Sequence, residues 1–331
     1  MPRVAVNTAL LAILCVLAIT GTAELFVNGS EVGWFYPLHR GAALALAPLL
    51  LWKLPMVVTS LRRRRLAISV WPGLVLMAVV LGLAASGTVW TTGLWRQWDL
   101  AGNSALALHL YFLFVIGLPL SLHIWLRRRR PRLRSFLGRR TLLRLVGVGG
   151  LAISGVTAFA VAAPWLQRIP APRRFTGSFV AGDGTGNDFP VTAFLNDDPQ
   201  PIPMATWSLR VTGRVAHPMT LTYADLLAAV DRTIATVDCT GGWFAEREWA
   251  GKRLGQLLES AQPDRGASTI VIRSTTGYFT MLPLIDARAT LLATHVGGEP
   301  LAHGHGFPLR LVAPSRRGFQ WVKWVEQIEV I

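Results

Sequence analysis

Residues 236–251 read Thr236-Val-Asp-Cys-Thr-Gly-Gly-Trp-Phe-Ala-Glu-Arg-Glu-Trp-Ala-Gly251, with Leu254 and Leu257-Leu258 just beyond. The run into Cys239 is strand-like, and it breaks at Gly241-Gly242, where bare backbone lets a bulky ligand approach closely. Cys239 is one of only two cysteines. The other, Cys15, lies in an apolar run near the N-terminus, so no disulfide framework is expected. A lone thiol outside the cytoplasm needs a reason, and a metal supplies one.

Working outward from this stretch, the chain divides in two. It has 331 residues, 52% of them hydrophobic, a mean hydropathy of +0.41 and a formal charge of +15. Long apolar runs fill the first half, and arginine runs punctuate them. From about residue 166 the composition is that of an ordinary globular segment. Residues 1–165 read as a transmembrane helical domain, 166–188 as a linker, and 189–331 as a catalytic domain.

Five spans are expected, at 4–27, 36–58, 70–92, 104–126 and 142–165, each near the ~20 residues that cross a hydrocarbon core. Arg62 to Arg65 follow the second span. Arg127 to Arg130, with Arg132, Arg134, Arg139, Arg140 and Arg144, follow the fourth. The intervening connections carry only Arg96, with Arg40 just inside the second span. The positive-inside rule therefore puts the N-terminus in the cytoplasm and residues 166–331 outside. The basic charge is a topology signal, not a nucleic-acid footprint. Trp34, Phe35, Tyr36, Trp90, Trp95 and Trp98 gather at the outer interface as an aromatic belt. The protein is expected in the cell membrane, multi-pass, in contact with the lipid bilayer.

Histidine inside a span is costly and usually functional. His109 and His123 sit fourteen residues apart on the fourth span, roughly on one face and about 21 Å apart along the axis. His39 lies near the outer end of the second span, and the position fourteen residues on is Lys53. His39 and His109 are therefore expected to meet as axial ligands of one haem b, while His123 has no evident histidine partner. The arrangement resembles small bacterial b-type cytochromes that anchor redox enzymes. Arg139-Arg140 ahead of a Gly/Ala-rich stretch reads either as an internal twin-arginine export signal or as a plain positive flank.

The outer half mixes short strands, such as 207–211 and 269–273, with helices at 223–230 and 254–260. Thr222 is the N-cap of the first helix. No strand–helix rhythm repeats, so an α+β domain is expected. Here the opening stretch becomes specific. It resembles the metal-binding segment of sulfite oxidase-like molybdopterin proteins. His305-Gly306-Phe307-Pro308-Leu309-Arg310, Ala313-Pro314, Gly318 and Val322-Lys323-Trp324 resemble that family's closing pterin-binding segment. Gly277-Tyr278 and Pro283 fall where the family has a strand and turn. The pattern also fits the bacterial methionine sulfoxide reductases of that fold, which work with a haem membrane partner.

The five spans make an all-α membrane bundle, and the resemblance implies that a sulfite oxidase-type domain with mixed β-sheets follows it. It makes Cys239 the one protein ligand of a molybdenum-molybdopterin cofactor, a soft thiolate suited to a metal that already carries dithiolene sulfurs. It carries His305, Arg310 and Lys323 over as contacts of the pterin phosphate, which wants donor-rich, positive surroundings. Arg316 and Arg317 fall to cofactor or substrate, Arg247 is a further candidate for an anion pocket, and Trp243, Trp249, Trp321 and Trp324 read as core. The activity implied is oxygen-atom transfer to or from a small sulfite-like anion or S-oxide. Electrons would pass through haem b to or from the quinone pool or another membrane redox protein. The alternative is a membrane electron-transfer or redox-sensing protein whose outer domain keeps the fold without turnover.

Overall fold

A computed structural model describes residues 3–26, 34–64, 70–92, 104–126, scattered positions between 140 and 154, and 173–331 apart from 193–196, 198, 229 and 315. Most of the expected fifth span, both residues Trp95 and Trp98 of the belt, and Arg65, Arg96, Arg127 to Arg130, Arg132, Arg134 and Arg139 lie outside the described residues. The chain separates into two compact units, one N-terminal and one essentially Ser178–Ile331.

The N-terminal unit contains α1 (Arg3–Phe26), α2 (Phe35–Arg64), α3 (Trp71–Thr92) and α4 (Ala105–Leu126). Four helices among the described residues are long and apolar enough to cross a membrane. They coincide with the first four expected spans, although α2 runs on to Arg64, beyond the expected end at 58, so its last turns carry arginine. Most of their large apolar side chains are open to the surroundings rather than packed inside, as suits lipid-facing helices. Pro48, Pro55 and Pro119 sit inside helices, and Thr59 bonds back to the Pro55 carbonyl at 2.7 Å.

The second unit is α+β. Its six-stranded sheet runs β1-β5-β8-β10, with β4 on β5 and β9 on β8; its five-stranded sheet runs β3-β2-β11-β6-β7. β1 is Phe179–Val180, β2 Leu209–Gly213, β3 Met219–Leu221, β4 Asp231–Asp238 and β5 Trp243–Arg253. β6 is Thr269–Ser274, β7 Phe279–Pro283, β8 Leu291–Val296, β9 Glu299–Pro300, β10 Arg310–Val312 and β11 Val325–Val330. Both sheets are mixed: β1 joins β5 and β11 joins β2 in parallel, and the other pairs are antiparallel.

The core follows from strand and helix periodicity. Leu209 and Val211 alternate inward on β2, while Arg210 points out. Helix α6 (Leu254–Ala261) buries Leu254, Leu257, Leu258 and Ala261, the spacing of one helical stripe. Helix α5 is Tyr223–Leu227 and ends three residues short of expectation. It opens on a capping box in which the Thr222 hydroxyl accepts from Asp225 N–H and the Asp225 carboxylate accepts from Thr222 N–H. The segment at 173–188 contributes β1, which pairs Phe179 with Trp243 and Val180 with Phe244. Gly182, at φ +76°, passes so close to the Asp188 carbonyl that a Cβ there would overlap it.

Candidate functional site

The β4–β5 hairpin turns at Cys239. Its N–H donates to the Trp243 carbonyl at 2.8 Å, and Gly242 N–H returns to the Cys239 carbonyl at 3.0 Å, with Gly242 at φ +91°. The turn folds the Gly241 N–H onto the Cys239 sulfur at 3.3 Å. The Thr192 hydroxyl lies 3.6 Å from the same sulfur. Gly318 packs on the other side, where a Cβ would stand 3.1 Å from the Cys239 Cα. Cys239 remains partly accessible. Burial of the thiol pushes it up from its ordinary range, opposed by the Gly241 amide, the Thr192 hydroxyl and the Arg317 guanidinium. Alone it is a neutral thiol. A coordinated cation would reverse that, because a metal-bound thiol loses its proton.

Immediately beside it is a buried charge cluster that sequence reading passed over. Asp238 is 1% exposed. It accepts from Ser178 Oγ at 2.7 Å and pairs with Arg174 Nε at 3.0 Å and Arg317 Nη1 at 3.2 Å. Asp238 thus sits between two guanidinium groups immediately next to the sulfur-bearing residue. Alternation along β4 marks Ala235 and Val237 as inward; Asp238 is buried out of that phase at the strand's end, so strand periodicity does not reveal it. Its arginine partners come from distant segments, which no local pattern reveals. Arg316, by contrast, turns away to Asp286 at 2.6 Å.

Lys323, Arg310 and His305 of the closing segment are linked through a short chain of contacts. Lys323 Nζ donates to the Thr192 carbonyl at 2.7 Å and the Gly304 carbonyl at 2.6 Å. Thr192 therefore links Lys323 to the Cys239 sulfur, though sequence reading did not single it out. Arg310 Nη1 donates to the His305 carbonyl at 2.9 Å. Gly306, at φ +109°, leaves room for both Lys323 and Arg310, whose Cβ atoms would stand 3.0 and 3.3 Å from a side chain at 306. His305 donates from Nε2 to the Asn187 carbonyl at 2.9 Å and stacks on Phe189 with ring centroids 3.9 Å apart. Its pKa falls from 6.5 to about 4, chiefly through burial and then through the Arg310 charge. The ring is neutral.

Arg310 tests whether an anionic cofactor fits. It is 4% exposed, and among the described residues its Nε has no hydrogen-bond partner and no carboxylate pairs with it. Burial lowers its pKa to about 10, so it is still cationic at neutral pH. The guanidinium lies over Trp249 and Trp321 at 5.5 and 6.0 Å. A buried cation with an unused donor is costly unless an anion completes it. Trp243 Nε1 is a second buried donor without a partner among the described residues, next to the Cys239 turn. The donor set suits a phosphate-bearing ligand with a metal at the thiol end. Of the four tryptophans read as core, Trp249, Trp321 and Trp324 are buried there. Arg247 lines a cleft of about 380 Å³ with Arg174, Thr236 and Glu246.

In the N-terminal unit, His39 and His109 face each other with ring centroids 6.1 Å apart and planes at 74°. A metal bonded to one nitrogen of each ring at ordinary lengths of about 2 Å places the centroids about 6 Å apart. The pair fits such an ion. His123 sits elsewhere on α4, against Gly73.

Three comparisons bear on these sites. The family described as oxidoreductase molybdopterin binding domain matches residues 197–331. An uncharacterized oxidoreductase, YuiH, from Bacillus subtilis is 35% identical over 145 residues, covering 43% of this chain and 73% of that protein. The protein-methionine-sulfoxide reductase catalytic subunit MsrP of Gluconobacter oxydans is 28% identical over 230 residues, covering 59% of this chain and 70% of its own. In solved structures, the sulfane dehydrogenase SoxCD of Paracoccus pantotrophus aligns at TM-score 0.38 and 25% identity, over 40% of this chain and 39% of that one.

Proposed function

Because the chain belongs to the family of oxidoreductases with a molybdopterin-binding domain, we propose that it moves an oxygen atom to or from a small sulfur substrate at a molybdenum held by Cys239. The single observation that carries this reading is the linkage of Cys239 through Thr192 to Lys323, and on through Gly304 and His305 to Arg310. One end offers a soft sulfur ligand and the other a set of cationic donors. That is the polarity of a ligand with a metal at one end and a phosphate at the other.

Arg310 and Lys323 hold the anionic end, with His305 packed between them. Cys239 holds the metal, which would take the thiol's proton, and the Arg317 guanidinium favours the resulting anionic sulfur. When bound, the molybdenum supplies two-electron exchange of an oxygen atom with the substrate. The relative named as a methionine-sulfoxide reductase makes an S-oxide the favoured substrate class. The partly accessible face of Cys239 is where it would enter.

The four apolar helices, together with the fifth span expected at 142–165, anchor the enzyme in the bilayer and carry residues 189–331, the catalytic domain, outside the cytoplasm. His39 and His109 hold one haem b, which passes electrons to or from the quinone pool. Molybdenum analysis and a haem spectrum of the full-length purified protein test both cofactors together. Wild-type protein should carry both, and Cys239→Ser should lose turnover with every substrate while keeping its haem. Full activity of that variant would end the assignment.

A further inference from the structure

The two paired histidines are gripped in the same way. Thr20 Oγ1 donates its only proton to the Val16 carbonyl at 2.7 Å. Its contact with His39 Nδ1 at 2.9 Å therefore has the ring nitrogen as donor. Ser86 Oγ likewise donates to the Gly82 carbonyl at 2.7 Å and lies 3.2 Å from His109 Nδ1. The Leu83 carbonyl, which can only accept, is 2.9 Å from that same nitrogen. Both rings thus carry their proton on Nδ1, and both Nε2 atoms keep a bare lone pair. Back-bonding to the helix explains each hydroxyl's own proton. It does not explain why each hydroxyl oxygen meets an imidazole.

The next residue repeats as well. A Cβ on Gly21 would stand 3.0 Å from His39 Cε1, and one on Gly87 would stand 3.2 Å from His109 Cε1. A hydroxyl residue followed by glycine on one helix closes on a histidine of the next, once for α1 and α2 and once for α3 and α4. Thr20 and Ser86 are 3% and 8% exposed. About four turns away along the helices, the second level keeps only half of the pattern. Gly73 lies against His123, but on the other pair Lys53 bonds Asn7.

We propose that these are two copies of one ligand cradle, and that Thr20 and Ser86 are positioning residues that fix how His39 and His109 present Nε2 to a haem. The proposal rests on the haem reading given above. Hydrogen-bonded partners of ligating histidines set tautomer and ring orientation, and their loss typically costs about 10–100-fold in metal affinity. The crossed planes at 74° should give ferric haem a strongly anisotropic low-spin EPR signal.

The test uses the full-length protein with its haem. Thr20→Val and Ser86→Ala should each weaken haem retention about tenfold or more against a haem-scavenging acceptor and change the EPR anisotropy. Thr20→Ser and Ser86→Thr should restore both. Because losing a buried hydroxyl can also disturb folding, Gly21→Ala and Gly87→Ala serve as second variants. They keep every hydrogen bond but press a methyl group on the rings, and they too should change the EPR signal. Variants with wild-type haem affinity and an unchanged signal would overturn the cradle while leaving the haem in place. A wild-type protein that binds no haem would sink the haem reading itself, and the cradle with it.

Discussion

Asp238 and Arg317 form an ion pair of 3.2 Å in which both side chains are within 5% of complete burial. Arg317 neighbours the Gly318 that packs on Cys239, and Asp238 precedes Cys239 in sequence. The pair therefore ties the closing segment to the sulfur-bearing turn. Removing one partner leaves a buried charge uncompensated, at a cost of about 3–5 kcal/mol. Asp238→Ala should lower unfolding stability by that order and reduce molybdenum content. Exposed pairs such as Arg232–Glu248 should contribute at most ~1 kcal/mol. Denaturant unfolding of Asp238→Ala beside Glu248→Ala decides the ranking.

Arg310 should show a conflict between stability and binding. It is a buried cation whose Nε has no hydrogen-bond partner among the described residues. Arg310→Leu removes that burden, so the cofactor-free protein should be as stable as wild type or more so. Hydrogen bonds to a charged group are worth about 1.5–3 kcal/mol, so cofactor affinity should fall about 10–100-fold. Thermal melting with and without bound pterin separates the two effects. A variant that is both less stable and equally well loaded would show that Arg310 has a structural role alone.

His305 gives a pH signature. Its folded pKa is depressed from 6.5 to about 4 by burial and the nearby Arg310 charge. The unfolded chain therefore binds a proton in the window from 6.5 down to about 4, and the folded chain does not. Stability is fully present above 6.5 and is lost as pH falls through that window, by at most about 3 kcal/mol. His305→Gln should flatten this part of the profile. Loading with the phosphate-bearing cofactor should narrow it, since an anion beside the ring favours its protonated form.

Topology is tested by fusion. Alternate connections differ in arginine content, which orients the spans. A reporter after Ile331 should be active outside the cytoplasm, and one inserted at Arg132 inside it. Both on one side would rule out the orientation drawn from the arginine runs.

Much of this was legible in the sequence, and the reason differs by region. Spans were readable because hydropathy alone marks a helix that faces lipid. The turn at Cys239 was readable because Gly241-Gly242 follow it, a local signal. The helix after Thr222 was readable at its start and not at its end, because the capping box is local and the stop at Leu227 is not. Thr192, Asn187 and Asp238 were missed for one physical reason. Each acts through partners more than forty residues away, which no local spacing encodes. Thr20 and Ser86 were hidden likewise, since a hydroxyl in a helix usually bonds its own backbone.

The last expectation concerns the electron path through the paired histidines. His39 and His109 have their rings 6.1 Å apart and both Nδ1 atoms committed to neighbouring helices. Each ring therefore has one nitrogen to offer. His123 lies about four turns further along α4, at the level where Lys53 and Asn7 replace a histidine and its glycine. Hence His39→Ala or His109→Ala should abolish the b-type haem spectrum and quinone-linked turnover. Activity with a soluble artificial electron donor or acceptor should survive, because Cys239 and its surroundings are untouched. His123→Ala should leave most of the haem in place. Optical spectra of the three variants, purified in parallel and normalised to protein, settle the assignment. Loss of haem in His123→Ala with retention in His39→Ala would show that the pairing is wrong, and would turn attention to Lys53 and His123 as the ligand pair.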